Sequence, residues 1–138
     1  MFQEKNSEYK VYDVRCKDVL EQDGVRFAAI INSEGKMIAG GFKWGITPLE
    51  GDENKLQQFM EFSAKISLRK DYDHSLGALN YIAFRRDKII LISFPFPISP
   101  YILLISAEPS VNIEKLAEKV TRIFGDSKLF SEWDMTSA

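Results

Sequence analysis

The chain has 138 residues, of which 45% are hydrophobic and 28% are charged, values typical of a globular protein that buries its core in a single domain. Its formal net charge of −2 disfavours a dedicated nucleic-acid-binding role, which usually requires a marked excess of basic residues. The single cysteine, Cys16, excludes an internal disulfide and a cysteine-rich zinc site.

Neither secretion nor membrane insertion is expected. Residues Met1–Lys10 are polar and charged, without the apolar stretch of a secretory signal. The longest apolar run, Ile89–Leu104, is too short to span a bilayer and is interrupted by prolines. We therefore expect a cytoplasmic protein that does not insert directly into membranes.

The first half of the chain is predicted to form a helix and then a β-hairpin. Apolar residues at helical spacing predict the helix over Ser7–Gln22, and Gly24 stands where a helix commonly stops. The hairpin is predicted over Val25–Gly41, because Gly35 in its central link can adopt the positive φ of a tight reversal. The glycine-containing link Phe42–Gly51 is typical of a packed loop.

The second half is predicted to contain two further helices and three strands. The predicted elements are a helix over Glu53–Lys70 capped by Asp52, a polar turn over Asp71–Gly77, strands over Ala78–Arg86, Lys88–Phe94 and Tyr101–Ala107, and a last helix between its cap Asn112 and its stop Gly125. The last two strands are almost continuously apolar, which indicates that both of their faces are covered. Helices must therefore lie on each side of the sheet.

These elements predict one domain of the α+β class over residues 1–138, with an ordered core from about 7 to 125 and a loose tail over 126–138. Their order is α-β-β-α-β-β-β-α. Its hairpin connections and its long crossover imply a five-stranded antiparallel sheet with helices on both faces.

This order resembles the roadblock family of dynein light-chain-like proteins, and more broadly the profilin-like and longin-like layouts. The resemblance rests on Gly24-Val25 at the start of the first strand and on the Ser33-Glu34-Gly35-Lys36 reversal, while Gly40–Leu49 resembles a small archaeal branch. It implies strand order 2-1-5-4-3, with the middle helix on one face and the terminal helices on the other. It also implies a homodimer made by the edge of the second strand and the middle helix, and a non-enzymatic scaffold that regulates or anchors small GTPases.

The middle helix carries more apolar residues than a single core-facing stripe needs. Phe59, Phe62 and Ile66 either widen that stripe or form a second apolar surface. We predict a self-association surface, because an unpaired edge strand is usually covered or paired. The predicted interface comprises Met37, Ile38, Ala39, Gly40, Phe42, Phe59, Phe62 and Ile66.

Two groups of cations are the only basic concentrations. Arg69 and Lys70 form the first group, and Arg85, Arg86 and Lys88 form the second. They could converge into a patch for an acidic partner or a phosphate. Alternatively they are a solvated helix end and hairpin tip, since clustered charges usually face solvent.

No residue is predicted to be catalytic or to bind a metal or cofactor. His74 follows Asp73 directly, so the two side chains would point apart, and no base or nucleophile partner is identifiable. Cys16 lies on the apolar stripe of the first helix, which is typical of a buried cysteine. The glycines at 40, 41 and 45 match neither the phosphate-loop pattern nor the dinucleotide pattern, and Gly40-Gly41 instead predicts a bulge or a close backbone approach.

The main alternative is a small-molecule sensor domain of profilin-like fold. Phe42, Trp44 and Tyr81 could then contact a ligand, although Trp44 could equally seal the end of the core. A well-formed internal cavity would favour this alternative, and a sheet packed solid on both faces would exclude it. An enzyme ranks third, and a nucleic-acid-binding protein ranks last because no basic and aromatic stripe is visible.

Overall fold

The computed structural model describes residues 7–46, 53–97 and 99–125, which form four helices and five strands. The elements are α1 (Ser7–Leu20), β1 (Val25–Ile31), β2 (Met37–Phe42), α2 (Glu53–Ser67), α3 (Asp73–Leu76), β3 (Ile82–Arg85), β4 (Ile90–Pro95), β5 (Ile102–Ala107) and α4 (Ile113–Phe124). The predicted cap Asp52 and the predicted tail 126–138 lie outside the described residues.

The five strands form one sheet in the order β2-β1-β5-β4-β3, and each neighbouring pair is antiparallel. Residues of α1 and α4 pack with one set of strand side chains, and residues of α2 pack with the alternate set. The fold class, the strand order and the distribution of helices between the two faces are therefore confirmed.

The central strands are buried on both faces, as their apolar composition predicts. Every residue of β4 and β5 is buried, and β1 is buried except at Arg26. The larger core lies between these strands and the terminal helices, and it includes Cys16, Ile92 and Phe124. The smaller core lies under α2, where Met60 and Ala64 cover the sheet.

The ends of two elements match their predicted signals. The Asn112 side chain accepts a hydrogen bond from the Lys115 backbone N–H at 3.0 Å, so Asn112 caps α4 as expected. Gly35 has φ +83°, which allows the reversal between β1 and β2. A Cβ atom at Gly35 would lie 2.6 Å from the Glu61 Cα, so only glycine lets this turn pack against α2.

Several boundaries differ from the sequence prediction. Helix α1 ends at Leu20, α2 ends at Ser67, and the predicted polar turn contains the single-turn helix α3. Strand β3 begins at Ile82 instead of Ala78. Ile82 pairs with Ser93, and a ladder continued by two residues would reach Pro95, which has no N–H to donate.

Within the described ranges, no helix has both the length and the apolar character that crossing a membrane requires.

Candidate functional site

The outer edge of β2 is the first predicted interaction surface. Met37 and Gly40 are exposed and Ile38 is half-buried, but Ala39 is only 2% exposed and belongs to the core under α1. The Phe42 ring lies 4.7 Å from the Phe27 ring, centroid to centroid, within the same chain. The Ala39 and Phe42 side chains are therefore directed into the chain's own packing.

Gly40 makes the close backbone approach predicted for the glycine pair, and the approaching backbone belongs to the same chain. Gly40 has φ +89°, and a Cβ atom there would collide with the Ala28 carbonyl oxygen and lie 2.7 Å from the Ala29 Cα. Both atoms lie on β1, so the chain's own backbone explains the contact.

The outer face of α2 is the second predicted surface. Phe62 is 50% exposed, and Phe59 and Ile66 are half-buried. The rings of Phe59 and Phe62 lie 6.3 Å and 6.1 Å from the ring of Phe84 on β3. We call Phe59, Phe62, Ile66 and Phe84 the aromatic surface.

The structure does not bring the aromatic surface and the β2 edge together. The β1–β2 turn contacts the opposite flank of α2, where Gly35 lies against Glu61 and accepts a hydrogen bond from Gln57 at 3.3 Å. Strands β2 and β3 are the two outer strands, four strand spacings or about 19 Å apart. The aromatic residues of α2 therefore adjoin the β3 edge.

The two basic groups also lie apart. Arg69 and Lys70 follow α2 near the start of β3, and the Arg69 guanidinium is paired with Asp71. Arg85 ends β3 and donates to the Pro109 carbonyl oxygen at 3.0 Å, beyond the opposite end of the strand. The five cations do not converge into one patch.

A surface cleft of about 690 Å³ lies between the segment that follows α2, the end of β4 and α4. Phe94, Lys70 and Glu118 are among the residues that line it. This cleft was not predicted from the sequence. The proline of β4 that ends pairing with β3 is the available sequence signal, because residues 78–81 then line the cleft instead of extending the strand.

Tyr81 joins two sides of the cleft. Its hydroxyl donates a hydrogen bond to the Glu114 carboxylate at the start of α4, and its ring lies 5.6 Å from the Phe94 ring. The hydrogen bond to Glu114 raises the pKa of Tyr81 above its ordinary value of 10.0, and burial and the charge of Glu114 add to the effect. At neutral pH Tyr81 is therefore a hydrogen-bond donor.

The structure contradicts one of the two roles considered for Trp44, that of sealing the end of the core. Trp44 is 98% exposed and does not seal the core. The reason is the tight turn after β2, in which the Ile46 N–H donates to the Lys43 carbonyl oxygen at 3.1 Å and Gly45 has φ +85°. Among the described residues that line the cleft beside Tyr81, neither Phe42 nor Trp44 appears.

The remaining candidates lie apart from these surfaces. His74 is exposed in α3, and Cys16 is fully buried in the core, as its position on the apolar stripe predicts. Across residues 7–46, 53–97 and 99–125, no three His, Cys, Asp or Glu side chains are grouped so that they could hold a metal ion.

Solved structures of the same fold include three that align with most of this chain and with most of their own length. A roadblock/LC7 domain from Streptomyces avermitilis is 11% identical, with a TM-score of 0.62, over 91% of this chain and 98% of that chain. The gliding protein MglB from Thermus thermophilus is 14% identical, with a TM-score of 0.63, over 87% of this chain and 93% of that chain. An MglB with tetrameric arrangement is 14% identical, with a TM-score of 0.64, over 87% and 92%.

At these identities the likeness establishes a roadblock-like fold and nothing finer. No curated protein matches the chain. A family model described as a family of unknown function, DUF6659, matches residues 4–137. Because that match covers almost the whole sequence, the chain belongs to the DUF6659 family.

Proposed function

We propose that this protein is a non-enzymatic homodimeric scaffold whose two copies associate through the aromatic surface and the adjoining β3 edge. The observation that carries the proposal is Phe62, a large apolar side chain that stays half-exposed beside an edge strand. A cluster of phenyl rings at an unpaired sheet edge is typical of an interaction surface.

The energetics favour this position over the β2 edge predicted from the sequence. Burying the exposed half of Phe62 would contribute about 1 kcal/mol per copy. Phe84 already packs against the Phe62 ring on one side, so little side-chain freedom would be lost on association. On β2, Ala39 is buried within the subunit and offers a partner no side-chain area.

Light scattering at micromolar concentration tests the dimer. The wild type is expected to have twice the mass of the Phe62→Asp variant, because a carboxylate cannot be buried among phenyl rings without a partner. Val14→Asp is the matched control, since Val14 is also an apolar residue on an outer helix face and is 56% exposed. The control should keep the wild-type mass.

Two outcomes would contradict the dimer: a monomeric wild type, or a Phe62→Asp variant that keeps the wild-type mass while folded. Circular dichroism checks the fold of each variant. If Val14→Asp dissociates the protein instead, the contact lies on α1.

We propose further that the dimer is a cytoplasmic platform for a protein partner, a small GTPase in the first instance. The partner class follows from the resemblance to the roadblock family. The exposed cations Arg86 and Lys88, in the turn after β3, are the proposed contact for acidic groups of the partner.

Binding to purified small GTPases of the source organism tests the partner class, with each GTPase loaded with GDP or a non-hydrolysable GTP analogue. We expect binding that depends on the nucleotide and weakens in the double variant Arg86→Glu, Lys88→Glu. Lys36→Glu in the β1–β2 turn is the control for a general charge effect. Failure of every GTPase to bind would reject the partner class and leave the dimer standing.

The alternative of a small-molecule sensor has one supporting observation, the cleft beside Tyr81. The sheet itself is covered on both faces, which argues against a ligand in the interior. A thermal-shift screen of small metabolites tests the cleft. Stabilisation that is lost in Lys70→Ala would support a ligand site there, and no stabilisation by any compound would reject it.

A further inference from the structure

The β2 edge carries a hydrogen bond that the proposed dimer does not explain. The Gly40 N–H donates to the Oδ1 atom of Asp13 on α1, 27 residues earlier, at 2.8 Å. Asp13 is half-buried on the helix that packs over β1 and β2. A side chain from another element therefore reaches the border of the sheet.

The direction of this N–H identifies it as an edge donor. The Lys43 N–H donates to the Arg26 carbonyl oxygen of β1 at 2.8 Å. In an antiparallel pair the residues alternate between those that bond the neighbouring strand and those that face away. Counting back from Lys43, Gly41 faces β1, whereas the N–H groups of Phe42 and Gly40 point out of the sheet.

Two further irregularities lie on the same strand. The register between β1 and β2 shifts between Ile30 and Ile31, where Met37 pairs with Ile31. Gly40 itself has φ +89°, which is not the conformation of a regular strand. Bulges, irregular backbone and charged side chains are the features by which sheet edges avoid pairing with another chain.

We propose that Asp13 guards the β2 edge: its carboxylate occupies the central outward donor and keeps β2 of one copy from pairing with β2 of a second copy. A second copy is the relevant occupant because an antiparallel strand pair can be isologous, the same strand serving both sides. This hydrogen bond, which we call the guard, restricts self-association to surfaces other than the β2 edge.

Asp13→Ala tests the guard, with Asp13→Asn and Asp18→Ala as controls. Asp13→Ala removes the acceptor, whereas the amide oxygen of Asn can still accept from Gly40. Asp18→Ala removes the same charge from the same helix, about 140° around the helix axis from Asp13. Each variant is made in the wild type and in Phe62→Asp, so the result does not depend on the proposed dimer.

In both backgrounds Asp13→Ala is expected to raise the mass about two-fold or more, since an added isologous contact joins copies in pairs. The two controls should keep the mass of their background. Amide exchange followed by NMR should show that the Gly40 and Phe42 N–H groups become more protected in the associated form, because a second strand then bonds them.

Three results would overturn the guard. The first is an Asp13→Ala variant that remains folded and keeps the mass of its background in both cases. The second is association accompanied by faster exchange at Gly40, which would indicate that α1 has detached and that unfolding drives aggregation. The third is equal association of Asp13→Asn, which would show that the hydrogen bond to Gly40 is not what keeps the edge unpaired.

Discussion

The two edges of the sheet differ in what the nearest helix presents to them. At β2, α1 presents a carboxylate that bonds the outward Gly40 N–H, and Ala39 is buried in the chain's own core. At β3, α2 presents phenyl rings that pack on Phe84 and leave Phe62 half-exposed. The β2 edge therefore has a bonded backbone donor, and the β3 edge adjoins an exposed phenyl ring.

Under the two proposals above, an edge strand's own residues do not decide whether it pairs with a partner. The six residues of β2 include more apolar side-chain area than the four of β3, yet β2 is the edge with a bonded donor. The two proposals assign the difference to the side chain that the neighbouring helix places at each edge.

The largest expected change in stability is that of Gly40→Ala, which tests whether the close packing of β2 against β1 stabilises the fold. The added Cβ would collide with the Ala28 carbonyl oxygen in a backbone conformation that alanine rarely adopts. We expect a loss of about 3 kcal/mol in the free energy of unfolding, measured by urea denaturation.

Gly45→Ala is the control for Gly40→Ala. Gly45 has a similar φ of +85° but no atom within 4 Å of the added Cβ. The free energy of unfolding of Gly45→Ala should fall by only about 1 kcal/mol, because alanine is disfavoured in this backbone conformation. If both variants lost the same free energy of unfolding, the close approach of Gly40 to the β1 backbone would not be what holds β2. The contrast drawn between the β2 and β3 edges would then be weaker.

An intermediate effect is expected for Phe84→Ala, which removes the β3 side of the aromatic surface. Loss of a half-buried ring should cost about 2 kcal/mol, and the melting temperature should no longer rise with protein concentration, as that of a dimer does. Tyr72→Ala, at an exposed loop aromatic, should change stability by less than about 0.5 kcal/mol. A wild-type melting temperature independent of concentration would contradict a dimer at this edge.

The smallest effect is expected for Tyr81→Phe, which removes the hydrogen bond to Glu114 just before β3 begins. At neutral pH the free energy of unfolding should fall by less than about 1 kcal/mol, because the hydrogen bond is exposed to solvent. The folded state holds the phenol proton more tightly than the unfolded chain, since the pKa of Tyr81 is raised. The protonated Tyr81 hydroxyl therefore contributes to the free energy of unfolding below a pH of about 10. This contribution is lost as the pH rises through the raised pKa.

Unfolding free energies of wild type and Tyr81→Phe, measured from neutral to alkaline pH, check this sign. The difference between the two proteins should be constant at neutral pH and shrink above pH of about 10. A difference that grows with pH would show that Glu114 does not accept from Tyr81 in solution.

Much of the fold could be predicted because its signals are local. The cap Asn112 and the apolar spacing from Leu116 to Phe124 define α4 within a single segment. The near-continuous apolar runs of β4 and β5 predict coverage on both faces whatever the remaining chain does. The length of β3 was overestimated, because the limit comes from Pro95 on another strand.

The candidate site was predicted only in part, because it depends on which elements become neighbours. Periodicity singled out Phe59, Phe62 and Ile66 as more than a core stripe, but Phe84, the ring against which the two phenylalanines pack, was not recognised. Asp13 carried no signal either, since a carboxylate on a helix is an ordinary surface residue until α1 is laid over β2.

The sequence by itself determined the order of the elements, the burial of the central strands and the excess of apolar side chains on α2, because periodicity and local backbone preference are written within each segment. Only the tertiary structure decided that this excess lies beside β3 and that a carboxylate covers β2. Both facts depend on the packing angle and direction of a helix across the sheet, and no local pattern in the chain encodes these.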